Sequence, residues 1–131
     1  MSLLMLDTDI SSYIIKQRPA SLLDRFQKQA ERLCVSVVTA AELQFGAEKA
    51  ARPALTALVR EFLERLPVLD WTQLVVPHYA KIRVALERSG TPIGNMDLLI
   101  ASHAAAEGCT VVTNNIKHFT RVPGLKVEVW H

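Results

Sequence analysis

The chain has 131 residues, half of them hydrophobic, with 15 Lys plus Arg against 13 Asp plus Glu and a formal net charge of +2. That length suits one compact domain able to bury its own core, and the charge balance excludes a polybasic tail or an acidic disordered segment. Two cysteines, Cys34 and Cys109, are too few for a disulfide framework or a zinc site.

Both cysteines sit beside apolar residues and are expected as buried thiols in a reducing, cytoplasmic setting. No apolar run approaches the roughly 20 residues of a membrane span, so no membrane partner is expected. Residues 1–7 carry no basic leader and reach an acid at Asp7, which is not the pattern of a signal peptide.

Residues 3–6 form a short continuous apolar run and predict a buried strand. Residues 34–38 and 110–113 predict two more, and residues 66–69 a less apolar one. Between them, apolar residues recur at helical spacing over 21–31, 40–50, 54–66, 72–89 and 97–107. Pro53 suits the first turn of its helix, and Gly108 suits a left-handed cap. Residues 90–94 read as a loop, and Pro123-Gly124 as a turn before a last strand at 126–129. Continuously apolar strands alternating with helices predict an α/β fold on a central parallel sheet. Ligands of such sheets bind at the carboxyl ends of the strands.

Oxygen-bearing side chains stand at those ends. Asp7 and Asp9 follow the first strand; either could instead cap the next helix. Glu42 follows the second strand, where Thr39 and Glu42 have the spacing of a capping box. Asp97 falls in the first turn of a helix that Asn95 could cap. Asn114 and Asn115 end the last long strand as ordinary turn residues that are also oxygen donors. Three carboxylates brought within roughly 4–6 Å repel and raise one another's pKa, a penalty that a divalent cation removes. Oxygen donors completed by water suit Mg²⁺, with Mn²⁺ as the alternative, and such a site performs phosphate chemistry.

Four stretches carry a family likeness: Met-Leu-Asp-Thr-Asp-Ile, Val-Val-Thr-Ala-Ala-Glu-Leu-Gln-Phe-Gly-Ala, Gly-Thr-Pro-Ile-Gly-Asn-Met-Asp-Leu-Leu-Ile-Ala, and Val-Val-Thr-Asn-Asn-Ile-Lys-His-Phe. In this order along the whole chain they resemble the PIN-domain ribonucleases, and among these the VapC-type toxins of bacterial type II toxin–antitoxin pairs. The resemblance implies a single PIN domain over residues 1–131, with a three-layer α/β/α fold. It implies a Mg²⁺-dependent endoribonuclease that cuts structured cellular RNA, tRNA or rRNA, and arrests translation. It also implies a VapB-like antitoxin partner and a homodimer.

Residue by residue, Asp7 and Asp97 match the family's metal ligands and Glu42 its central acid. Thr113 and Asn115 match the Thr-x-Asp/Asn element that completes the site. Asp9 stands where many relatives have Asn, Asn115 where many have a fourth Asp, and His118 where similar toxins often carry an acid.

Lys16, Arg18 and Lys117 lie near strand ends and are the expected phosphate contacts, with Thr113 beside them. Tyr13, Ile14 and Ile15 are expected to share an apolar surface with Phe45 and Leu58, where the resemblance implies antitoxin docking. His103 is expected as a satisfied core histidine, and Trp71, Tyr79 and Trp130 as packing anchors. A phosphoacceptor signalling domain with Asp70 as acceptor requires adjacent acids after the first strand, but here Thr8 separates Asp7 from Asp9. That reading also leaves Glu42 and Asp97 unexplained. A PIN module without activity is disfavoured because all three acids are present.

Overall fold

The computed structural model describes residues 3–17 and 20–130. Arg18, an expected phosphate contact, lies outside the described residues. The chain begins with β1 (Leu4–Leu6), α1 (Thr8–Ile15), α2 (Ala20–Lys28), β2 (Leu33–Ser36), α3 (Val37–Ala50) and α4 (Pro53–Glu64). It continues through β3 (Val68–Leu69), α5 (Val76–Arg88), α6 (Asn95–Glu107), β4 (Thr110–Thr113), α7 (Ile116–Phe119) and β5 (Val127–Val129).

The five strands form one parallel sheet in the order β3-β2-β1-β4-β5. In register, Met5 lies opposite Cys34 on one side and Val111 on the other. Strand side chains alternate between faces. Leu4 and Leu6 accordingly join one apolar cluster, with Ile10, Ile14, Leu22, Phe26, Leu43, Val59 and Phe62 from α1–α4. Met5 joins the opposite cluster, with Ile82, Leu86, Leu98, Ile100, Ala101 and Phe119 from α5–α7. Helices thus cover both faces, giving the expected three-layer α/β/α arrangement and explaining why β1 is apolar at every position. Among the described residues no helix is long and apolar enough to cross a membrane.

Cys34 and Cys109 are buried and free, and their thiols hydrogen-bond to each other. That hydrogen bond and burial push the Cys34 thiol far above its ordinary range.

Several boundaries differ from the sequence expectation for identifiable reasons. Residues 37–38 are β-branched and read as strand, but the β2–β3 ladder ends at Ser36 opposite Leu69. Ser36 then caps α3, its Oγ accepting from the Val38 N–H at 3.1 Å. Thr39 is therefore a buried helical residue and not the cap, and the expected capping box with Glu42 does not form. Likewise α6 starts at Asn95 with Gly94 as its cap residue, so Asn95 does not cap it. Gly108 closes α6 with φ of 68°, the left-handed geometry foreseen for it. Ile14 and Ile15 are core residues, so of the expected apolar surface only Tyr13, Phe45 and Leu58 are exposed.

Leu6 is fully buried on β1 directly before Asp7. Leu6→Ala is expected to lower unfolding free energy by about 2–5 kcal/mol in a urea titration, the usual range for a fully enclosed leucine.

Candidate active site

From β1 the sheet extends to β2 and β3 on one side and to β4 and β5 on the other. A reversal of this kind opens a crevice at the carboxyl ends of the two diverging strands. Asp7 is the first residue beyond β1, and Thr113 is the last residue of β4.

Asp7 is only 3% exposed. Its N–H continues the ladder by donating to the Val112 carbonyl at 2.9 Å. Its Oδ1 accepts from the Ile10 N–H at 2.8 Å and so caps α1. The two sequence readings of Asp7, helix cap and site acid, are therefore compatible in one side chain.

Burial pushes the Asp7 carboxyl up to about 7. Hydrogen bonds from Thr113 and the Ile10 N–H oppose the rise, while the charges of Asp9 and Asp97 add to it. Thr113 was expected among the substrate contacts, but it is fully buried. Its hydroxyl also accepts from the Asn115 N–H at 2.9 Å, which holds the side chain inside the protein beside Asp7.

Glu42 lies beyond the first turn of α3 and reaches the site through its neighbour. The Thr8 hydroxyl donates to Glu42 Oε1 at 2.6 Å and lies 3.3 Å from Thr39 Oγ1. Thr8 lies 31 positions from Thr39 and 34 from Glu42, a separation that carries no spacing signal, so sequence reasoning missed this connection.

Asp97 stands in the first turn of α6, where the helix dipole favours an anion. Its Oδ2 lies 2.8 Å from His118 Nδ1. Asn115 caps α7, its Oδ1 accepting from the Lys117 N–H at 3.2 Å. Lys117 is exposed, and Lys16 lines a cleft with Thr8, Asp9, Ser12 and Glu42.

Asp7, Asp9 and Asp97 are thus in electrostatic contact, and Glu42 joins them through Thr8. Among the described residues, no three Asp, Glu, His or Cys side chains are gathered closely enough to cage an ion. The three acids do not close around one point as the sequence suggested. The donors are nevertheless carboxylate oxygens, and the strain that burial and like charge place on Asp7 is the kind a cation relieves. One or two carboxylates completed by water is also how Mg²⁺ is ordinarily held. The residues therefore fit a hydrated Mg²⁺ or Mn²⁺ better than a closed protein cage.

His103 is buried in α6, its Nδ1 2.7 Å from Ser36 Oγ. Its Nε2 is buried without a hydrogen-bond partner of good geometry, so only one ring nitrogen is satisfied as foreseen. Burial lowers its pKa, opposed by Glu107 and the Asp70 backbone, and the ring is neutral at pH 7.

The sequence profile of the PIN domain matches residues 4–125. The chain is 42% identical over 127 residues to a tRNA(fMet)-specific endonuclease VapC of Salmonella typhimurium, covering 96% of each. It is 41% identical over 129 residues to a ribonuclease VapC2 of Rickettsia felis, again covering 96% of each. The DNA-bound VapBC complex of Salmonella typhimurium contains a chain that superposes with a TM-score of 0.94 at 42% identity, covering all of both chains. A chain in the Rickettsia felis VapBC2 complex with a promoter DNA fragment superposes with a TM-score of 0.93 at 39% identity, covering 98% of this chain and 99% of that one. The chain belongs to the PIN-domain family and, within it, to the VapC ribonucleases of toxin–antitoxin pairs.

Asp7 binds its proton more tightly folded than unfolded. That contribution to stability is complete below the unfolded value of 3.8 and is lost as pH rises through about 7. Asp7→Asn retains a capping oxygen and cannot ionise. With chelator present, the wild type is expected to lose stability relative to Asp7→Asn from about pH 4 to about pH 7, by at most ~4 kcal/mol at 1.36 kcal/mol per pH unit. Parallel denaturation curves at each pH would contradict this.

Proposed function

We propose that the chain is a Mg²⁺-dependent endoribonuclease, with Mn²⁺ able to replace Mg²⁺, acting on structured cellular RNA in the cytoplasm. Transfer RNA is the first substrate class to test, because a relative 42% identical is named as a tRNA(fMet)-specific endonuclease. Its cellular effect is arrest of translation. The observation that carries the reading is Asp7: a carboxylate enclosed at the sheet's switch point and pressed upward by burial and by Asp9 and Asp97.

Asp7 and Asp97 are the residues that hold the cation. A bound divalent ion supplies charge neutralisation and Lewis-acid polarisation of a phosphate oxygen. Thr113 and the Ile10 N–H keep Asp7 oriented as a carboxylate. Glu42, steered by the Thr8 hydroxyl, is placed to orient a water and accept its proton as the water oxygen bonds to phosphorus. The bond from phosphorus to the 3′-oxygen breaks and that oxygen takes up a proton from solvent water, leaving a 5′-phosphate and a 3′-hydroxyl. Asn115 holds the β4–α7 turn beside the site, and Lys16, Arg18 and Lys117 draw the RNA backbone to it.

A VapB-like antitoxin is the proposed protein partner, and a homodimer the proposed assembly. Phe45, 67% exposed, together with Tyr13 and Leu58 offers apolar anchors of the sort an amphipathic helix covers. The cleft holding Lys16, Asp9 and Glu42 continues along α3 and α4 past Leu43, Ala47 and Val59. An antitoxin segment laid there would block RNA access to the acids.

Purified protein is expected to cut tRNA only with Mg²⁺ or Mn²⁺ present. Asp7→Ala and Asp97→Asn should each slow cleavage by about 10²–10³-fold, the usual loss when one group stabilising transition-state charge is removed. Metal-dependent cleavage at the wild-type rate by Asp7→Ala would refute the assignment. Reversing Lys16 and Lys117 to Glu should reduce the salt dependence of RNA binding by a slope of at least ~1.4, about 0.7 for each lost single-strand phosphate contact; an unchanged slope would remove both lysines from the RNA path.

A further inference from the structure

The contact between His118 and Asp97 is not used by the mechanism above. His118 belongs to α7, whose position is set from both sides. Asn115 caps its start, and Phe119 is 1% exposed in the apolar cluster beneath α6. The segment after α7 is tied to the loop before α6, because the Arg121 guanidinium donates to the Pro92 carbonyl at 3.0 Å. The imidazole is therefore delivered to Asp97 by a braced element and not by a free surface side chain. Its Nδ1 lies 2.8 Å from Asp97 Oδ2, and both side chains are about one-third exposed, at 38% and 31%.

A carboxylate in the first turn of a helix can turn freely about its side-chain bonds unless something holds it. An imidazole donating its Nδ1–H to Oδ2 fixes that rotation and leaves Oδ1 free. Asp97 carries the charge that reaches Asp7, so the direction of Oδ1 decides how well the two acids share an ion. We propose that His118 is a positioning residue, holding Asp97 through its Nδ1 hydrogen bond so that the second carboxylate oxygen faces a divalent cation shared with Asp7. This rests on the reading of Asp7 and Asp97 as metal ligands. Partners that orient a metal ligand in this way commonly change metal affinity by about 10–100-fold.

The test is Mn²⁺ binding to the full chain, followed by electron paramagnetic resonance of the free ion and by calorimetry, without RNA. His118→Ala should weaken Mn²⁺ binding by about 10–100-fold. His118→Asn places an amide N–H near the position of Nδ1 and should restore most of that loss. The Mn²⁺ spectrum of the wild type should show no directly bonded nitrogen. Thermal unfolding in chelator should differ little among the three proteins, separating a positioning role from a folding defect. Equal or tighter binding by His118→Ala would overturn the proposal. So would failure of His118→Asn to recover affinity, or a bonded-nitrogen signal that disappears in His118→Ala. Asp97→Asn serves as reference: if it binds Mn²⁺ as well as the wild type, the metal-ligand reading of Asp97 fails, independently of His118.

Discussion

Asp7 is closed off from solvent at the point where the central strand leaves the sheet. A buried carboxylate there is costly, because burial removes its hydration and the charges acting on it from the described residues, Asp9 and Asp97, are negative. Two hydrogen bonds, from Thr113 and the Ile10 N–H, offset part of that cost, and the charges of Asp9 and Asp97 increase it. Pushed up to about 7, the group is poised between its charged and uncharged forms at physiological pH, so it responds strongly to any positive charge that enters. The proposed chemistry depends on this unresolved charge.

The surrounding architecture keeps Asp7 in that position. β1 is paired on both sides, and its three residues fill both apolar layers, so the strand cannot shift without disturbing the whole core. A one-residue slip would exchange Met5 with Leu4 and Leu6 between clusters built from different helices. The adjoining acids are held by separate devices. Glu42 is tethered to the α1 start by Thr8, and Asp97 to α7 by His118. Each acid therefore belongs to a different helix, and the site is only as well ordered as the packing of α1, α3 and α6 against one sheet.

Much of this was readable from residue order. The apolar runs marked β1 and β4, and helical spacing marked α4 and α6, because burial on a sheet face and burial along a helix stripe leave different periods. Asp7, Glu42 and Asp97 stood out as acids following strands or opening helices. The errors arose where local signals competed. Val37 and Val38 looked extended, yet the short β3 left no partner to pair with them. Thr39 and Asn95 had good capping chemistry but fell inside helices that began earlier. Thr113 looked like a ligand contact, but it is fully buried and hydrogen-bonds to Asp7.

By itself the sequence determined the class of fold, the order of the five strands and of α2 to α6, and that Asp7 follows a strand, since these follow from periodicity and turn chemistry within a few residues of each position; the short α1 and α7 carried no helical period of their own. Only the tertiary structure decided that Thr8 meets Glu42 across 34 positions, that His118 meets Asp97 across 21, and that the charges of Asp9 and Asp97 act on Asp7 without the described residues closing a three-ligand cage. The reason is physical. Hydrogen bonds and charge repulsion act over a few ångströms of space, and the separation of two residues along a chain does not report that distance until the sheet and its helices have packed.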